Sequence, residues 1–285
     1  MCRKKLALFI SVLAFCIYFP IVAFAKGIVV FGDSQAEEGH RKVVSAVEKV
    51  KPEIIFRVGD LVDDGEDPAQ WKLFNEIEAN LLKSTEYFPV LGNHEKNSPL
   101  YFKNFKIPNN GHWYSVDREG VHFIVLDSNS DLSAGSEQYQ WLVSDFRSIP
   151  ASSRFRIVLF HQPLFSASKA HGDDEKHIGG FLLPLFKEYN VNLVLNGHVH
   201  CYQRFFFDGI NFITTGGGGS HLVDVDKPNP YLRFSAKTYH FCTLEVKGDV
   251  LQVRCFDPAL NLIEELDIPN TNVAHPQEHL EEAVR

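Results

Sequence analysis

Beyond residue 25, this chain of 285 residues has no cluster of lysine and arginine of the kind that tracks a phosphate backbone, and the formal charge of the whole is −8. Such a surface repels polyanions, which disfavours a nucleic-acid partner and leaves small phosphoesters open. No Asn-x-Ser/Thr sequon occurs anywhere, which favours a bacterial envelope over a eukaryotic secretory pathway. Neither an internal repeat nor a linker divides the chain, so one large domain is expected.

Charge is also missing from Leu6 to Ala25. Arg3, Lys4 and Lys5 precede this apolar stretch, Pro20 breaks it, and Ala23-Phe24-Ala25 places small residues where a signal peptidase reads. The segment reads as an export signal over residues 1–25; the alternative is an uncleaved anchor, since the length could just span a bilayer. Phe15 before Cys16 argues against a lipidation box. Cleavage leaves a domain expected over 26–268 and an acidic tail over 269–285, and moves the charge from −8 to −11. An exported protein, periplasmic, envelope-bound or secreted, with no stable membrane insertion after cleavage is expected.

Cysteine is scarce, with three beyond residue 25. Cys242 and Cys255 flank a predicted hairpin whose Gly248-Asp249 suits a type II′ turn, and counting outward sets the two opposite each other. Two outcomes stand: a disulfide in an oxidising compartment, or two buried thiols beside Leu244, Val246, Leu251 and Val253.

What is present is a series of five short apolar runs, each ending on a potential metal ligand. They are Ile28 to Asp33, Ile54 to Asp60, Phe88 to Asn93-His94, Ile157 to His161, and Val191 to His198-Val199-His200. Their lengths, β-branched and aromatic content, and bounding Gly or Pro predict strands. Helices are predicted between them. Valines 43, 44, 47 and 50 recur at helical spacing, and Asp67-Pro68 reads as N-cap and first turn of a stripe from Trp71 to Leu82. Ser136 caps a helix through Ile149, and Phe181 to Tyr189 forms the last. Trp113–Asp117 and Val121–Asp127 form a hairpin, and strands alone follow Tyr202. The alternation predicts an α/β core with antiparallel additions.

Open α/β sheets bind ligands beyond the carboxyl ends of their strands. Two aspartates, an asparagine and three histidines would therefore gather on one rim, with enough oxygen and nitrogen for two adjacent divalent cations. Each piece alone is weak: Gly59-Asp60 suits a helix cap, Gly92-Asn93-His94-Glu95 a turn, and His161 a core. Gly197-His198-Val199-His200 is the strongest alone. Their joint order is what carries the expectation of a two-metal phosphoesterase.

This order resembles the calcineurin-like metallophosphoesterases, and more closely their purple-acid-phosphatase-like branch. The matching segments are Trp113–Asp117 with Val121–Asp127, Ser136–Leu142, His161–Ser166, Gly197–Arg204 and Ile213–Gly218. The resemblance covers nearly all of residues 27 to 257. It implies an α/β (α+β) fold, a four-layer sandwich of two mixed β-sheets flanked by helices. It also implies two divalent or mixed-valence metal ions, with mixed O/N ligands admitting iron, manganese or zinc.

Carried over by position, Asp60 bridges the metals, Asp33 and His200 complete one site, and Asn93, His161 and His198 the other. His94 would stabilise or protonate the leaving oxygen while a metal-activated hydroxide attacks in line. His171 and Arg204 are candidate substrate contacts alongside Asn93 and His94, with a solvated loop histidine and a structural ion pair as their respective alternatives.

Two positions depart from the pattern. Gln35 stands where the superfamily has histidine, and would either lend its amide oxygen to the metal or orient a water. Asp63 stands where purple enzymes carry a tyrosine ligand, so no purple colour is expected. The resemblance implies an acid-phosphatase-like hydrolase of small phosphorylated substrates, phosphomonoesters before diesters. The alternatives are a phosphodiesterase on small or nucleotide-like diesters and a non-catalytic envelope protein that binds phosphate. A nuclease is disfavoured by the acidic charge.

Overall fold

Near-continuous apolar runs of four or five residues are what strands buried on both faces require, and they set the frame of this protein. The structure, a computed structural model, describes residues 27–35, 38–174 and 176–271. The expected signal segment, and the tail beyond Thr271, lie outside the described residues.

The first half alternates strand and helix. It runs β1 (Ile28–Phe31), α1 (Glu38–Val50), β2 (Ile54–Arg57), α2 (Pro68–Ile77), α3 (Ala79–Ser84), β3 (Glu86–Pro89) and α4 (Pro99–Asn104). Then follow β4 (Tyr114–Arg118), β5 (Val121–Val125), α5 (Glu137–Arg147), β6 (Phe155–Leu159), α6 (Gly179–Glu188) and β7 (Leu193–Asn196). Among the described residues, only strands follow: β8 (Tyr202–Phe207), β9 (Ile210–Thr215), β10 (Leu232–Ala236), β11 (Phe241–Lys247), β12 (Val250–Phe256) and β13 (Leu262–Pro269).

They form two mixed sheets, ordered β13-β12-β11-β1-β2-β3 and β10-β8-β9-β7-β6-β5-β4. Within the first, β1, β2 and β3 are parallel and β11 to β13 antiparallel; within the second, β5, β6, β7 and β9 are parallel.

Strand alternation distributes the side chains among layers. Ile28, Val30, Ile54 and Phe56 of one sheet meet Phe123, Ile157, Leu159 and Leu193 of the other. Val29 and Phe31 turn outward onto Val43, Val44 and Val47 of α1, while Val158 and Val194 turn onto α5 and α6. Helices thus flank two face-to-face sheets. Phe56 stacks on Phe88 at 5.0 Å and on Phe123 at 4.4 Å, joining the sheets. Removing such a ring costs about 3–5 kcal/mol.

Local signals act as expected at several points. Asp67 caps α2 with Pro68 in the first turn, and the Ser136 hydroxyl accepts from Tyr139 N–H to cap α5. Gly248 has φ 58° in the turn between β11 and β12, and Cys242 faces Cys255 across them. Both are buried free thiols. The predicted stripe from Trp71 to Leu82 is two helices, because Glu78 leaves helical geometry between α2 and α3. Its carboxylate turns into the core to meet His40 and Arg57. The last helix begins at Gly179, two residues before the predicted start.

Candidate metal centre

Five strands deliver their carboxyl ends to one rim, three from the first sheet and two from the second. Asp33 follows β1, Asp60 follows β2, Asn93 follows β3, His161 follows β6, and His198 and His200 follow β7. A cluster of Trp71, Phe74, Tyr101 and Phe105, with Leu61 and Leu91, packs behind the loops that follow β2 and β3. The backbone turns tightly at several of these positions: Asp33, Asp60 and His198 have φ of 58°, 51° and 69°, and the neighbouring Gln35 has 44°. Non-glycine residues adopt this left-handed region at a cost, and it concentrates at functional sites. At Gly197 a Cβ would lie 2.5 Å from Asp33 Oδ2, so glycine there lets the histidine loop reach the carboxylate.

Two groups of donor atoms converge, and they share Asp60. Asp33, Asp60 and His200 bring one atom each to within 4.8 Å of one another, and so do Asp60, His161 and His198. Asn93 Oδ1 lies 3.0 Å from His161 Nε2, beside the second group. Backbone carbonyls orient the rings. His161 Nδ1 donates to Val58 O at 2.8 Å, which turns Nε2 toward Asp60 Oδ2 at 3.1 Å. His200 Nδ1 donates to His221 O at 2.9 Å, and its Nε2 faces Asp33 Oδ1 at 3.6 Å. Metal-binding histidines are held by such outer hydrogen bonds.

Electrostatics favour a cation at this cluster. Asp33, Asp60 and Glu95 are all buried. Burial pushes Asp33 well above the usual carboxylate range, against the pull of His161. Burial would likewise raise Asp60, but the His161 imidazole outweighs it and holds the carboxyl at about 2. Burial opposes charge on His161 as well, yet Asp60 pushes it up to about 10. His200 is held down to about 4, chiefly by burial.

One imidazolium therefore sits among several buried carboxyls, where a divalent cation would take over its charge-balancing role. Asp33 Oδ2 is buried with no hydrogen-bond partner, as expected of an oxygen reserved for an ion. The donor set of carboxylate, amide oxygen and imidazole suits a divalent transition metal. The residues fit the implied pair.

Outside the two groups, a cavity of about 510 Å³ opens, lined among others by Asn93, His94, His171 and His221. His94 Nδ1 donates to Asp63 O at 2.7 Å, and its Nε2 stands 3.9 Å from Asp60 Oδ2. His171 packs against His198 with ring centroids 4.2 Å apart. Asp63 also lines the cavity. Gln35 lies there too, but its amide oxygen accepts the Ser220 hydroxyl proton.

Arg204 does not line this cavity. Its guanidinium forks onto Glu264 of β13 at 2.7–3.0 Å, and Tyr202 OH joins the same carboxylate. The candidate substrate contact at Arg204 is therefore corrected to a structural ion pair, the alternative its position already offered.

Glu95 and Gln162 have roles that sequence reading missed. The Glu95 carboxylate accepts N–H groups from Asp60, Leu61 and Gly92, clamping together the loops that carry Asp60 and Asn93. Burial and the nearby Asp60 push it up to about 7. Its place at the end of Gly92-Asn93-His94-Glu95 was the available signal. Gln162 Nε2 donates to Asn129 Oδ1 at 3.0 Å and reaches Asn93 Oδ1 at 3.4 Å.

A family model for calcineurin-like phosphoesterases matches residues 27–202, and the chain belongs to this family. Within it, the chain is similar to the purple acid phosphatases. Purple acid phosphatase 18 of Arabidopsis thaliana is 28% identical over 200 residues, which is 65% of this chain and 46% of that protein. The solved purple acid phosphatase PPD1 from yellow lupin (Lupinus luteus) seeds superposes with a TM-score of 0.76 at 21% identity, over 86% of this chain and 53% of the other.

GAP50, the anchor in the inner membrane complex of Plasmodium, shares the fold with a TM-score of 0.70 at 19% identity, over 85% of this chain and 88% of its own. The chain spans about half the length of the curated relatives it matches.

Proposed function

We propose that the protein is an exported dinuclear-metal phosphoesterase that prefers phosphomonoesters. The observation that carries the reading is the pair of three-donor groups sharing Asp60 at the floor of one open cavity. Asp33 and His200 would hold one metal, Asn93, His161 and His198 the other, and Asp60 both. A metal pair supplies Lewis acidity there, acidifying water and drawing charge from phosphoryl oxygens.

The chain's own residues then orient and protonate. Asp63 O fixes the Nδ1 proton of His94, so in the imidazolium form Nε2–H is free to donate to the leaving oxygen. Asn93, beside His161 and Gln162, would position the ester. His171 lines the same cavity beside His198. Export rests on the N-terminal segment of the sequence. Among the described residues no helix is long and apolar enough to cross a membrane.

The test is hydrolysis by residues 26–285 loaded with manganese, zinc or iron, against a chromogenic phosphomonoester and its matching diester. Asp60→Asn serves as the blank. Turnover that vanishes in Asp60→Asn and runs faster on the monoester is expected. Faster diester turnover would reassign the substrate class. No turnover above the blank with any metal would leave a phosphate-binding role.

A further inference from the structure

The two donor groups are unequal. With Asn93, the group around Asp60, His161 and His198 offers two imidazoles and two oxygens, a full set for a four-coordinate divalent ion. The group of Asp33, Asp60 and His200 offers two carboxylates and one imidazole. Gln35, the neighbouring side chain, has its amide oxygen engaged by the Ser220 hydroxyl. A nitrogen donor is missing on that side.

Residing on the loop after β9, His221 is the imidazole best placed to supply it. Its backbone is pinned to the site: Ser220 N–H donates to Asp33 O at 3.0 Å, and His221 O receives His200 Nδ1 at 2.9 Å. The His221 ring packs edge-on against His200 with centroids 4.8 Å apart and lines the same cavity. Its nitrogen stands outside the set of atoms already within 4.8 Å of one another, so reaching an ion requires rotation of an exposed side chain.

The hydrogen bonds also select the tautomer. The Ser220 hydroxyl spends its single proton on Gln35 Oε1, so toward His221 Nδ1, 3.3 Å away, it can only accept. Nδ1 then carries the ring proton, and Nε2 keeps its lone pair for a cation. His161 and His200 are prepared in the same way, by carbonyls in place of a hydroxyl.

We propose that His221 is a metal ligand of the Asp33–Asp60–His200 site, supplying the second imidazole that Gln35 does not. The inference rests on the dinuclear reading above. Ser220 and Gln35 act on the ring before it turns: the amide accepts the hydroxyl proton, and the hydroxyl leaves the His221 ring proton on Nδ1.

The test is calorimetric titration of manganese into the metal-free protein, with cobalt(II) absorption as a second readout that needs no substrate. His221→Phe keeps a ring against His200 and removes the nitrogen; His221→Ala keeps only the carbonyl that holds His200. Wild type should bind two equivalents. In both variants one equivalent should weaken by about 10–100-fold while the other is unchanged, and the cobalt spectrum of the weakened site should change.

Two equivalents within threefold of wild type, in either variant, would overturn the assignment and leave the dinuclear reading standing. Wild type binding fewer than two metals would overturn both. Asp60→Asn, which removes the carboxylate charge that both groups share, should weaken both equivalents and so marks the loss of the whole centre.

Discussion

Glu78→Gln should be among the most damaging single-atom changes in the chain. Glu78 sits at the break between α2 and α3, and its side chain and that of Arg57 are both fully buried. Oε1 accepts from Arg57 Nη1 and from His40 Nε2, the latter at 2.7 Å. Burial alone would raise the Glu78 carboxyl, but Arg57 and His40 hold it below the usual range. The amide keeps the shape and removes the charge, leaving Arg57 buried without an anion.

Breaking one side of a buried pair costs about 3–5 kcal/mol. The same guanidinium donates to Ser34 Oγ at 2.8 Å and to Phe31 O at 3.2 Å, next to Asp33, so metal affinity should fall with stability. Urea unfolding of Glu78→Gln, of Arg57→Met and of the double variant measures the coupling. The double variant should be more stable than the sum of the single losses predicts, since no lone charge remains. A single-variant loss under about 1 kcal/mol, or strict additivity, would refute the reasoning.

His94→Ala should lower kcat by about 10²–10⁴-fold with metal content unchanged, which paired kinetics and metal analysis would measure. His240 is buried with Nε2 unpartnered, and burial holds it down to about 4. Because the unfolded chain protonates first, near 6.5, its contribution is intact above that pH and is lost as pH falls toward 4. The loss should reach about 3 kcal/mol, and urea midpoints of His240→Phe should lack this component. Arg204→Met should leave KM unchanged while costing about 1.5–3 kcal/mol of stability, since its charged hydrogen bonds go to Glu264; a raised KM at unchanged stability would restore it as a substrate contact.

The strands that carry the site were legible because a strand buried on both faces is an uninterrupted apolar run, and its end is marked where polarity returns. Ile28 to Asp33 and Val191 to His200 show this directly. Sheet order was not legible. That β11, over 200 residues later, pairs with β1 follows from long-range packing that no local pattern encodes. The break at Glu78 was hidden because the apolar spacing continues across it from Ile77 to Leu81; only the buried arginine explains why the chain turns there. Arg57, a charged residue inside the run from Ile54 to Asp60, is fully buried. His221 carried no signal, since one histidine after four glycines fits any loop; its meaning comes from Ser220 and Gln35, which the fold brings together across 185 positions.

What the rim demands of the fold is rigidity in an unfavourable geometry. Left-handed backbone at Asp33, Gln35, Asp60 and His198 costs of order 1–2 kcal/mol per residue, and Asp33 Oδ2 adds a buried acceptor without a partner. These turns persist because the backbone between them is tied. Asp33 N–H donates to Gly59 O, and both Ser34 and Gln35 N–H donate to Asp60 O. Glu95 gathers the N–H groups of Asp60, Leu61 and Gly92, and the His198 amide donates to Asp33 Oδ1. All of these bonds except that of Gly92, which lies within its own loop, join two of the candidate ligand loops, so these loops do not relax one at a time. Preorganised donors lose little freedom when a cation arrives, and the two sheets and the aromatic cluster behind Leu61 and Leu91 supply the burial that sustains the strain.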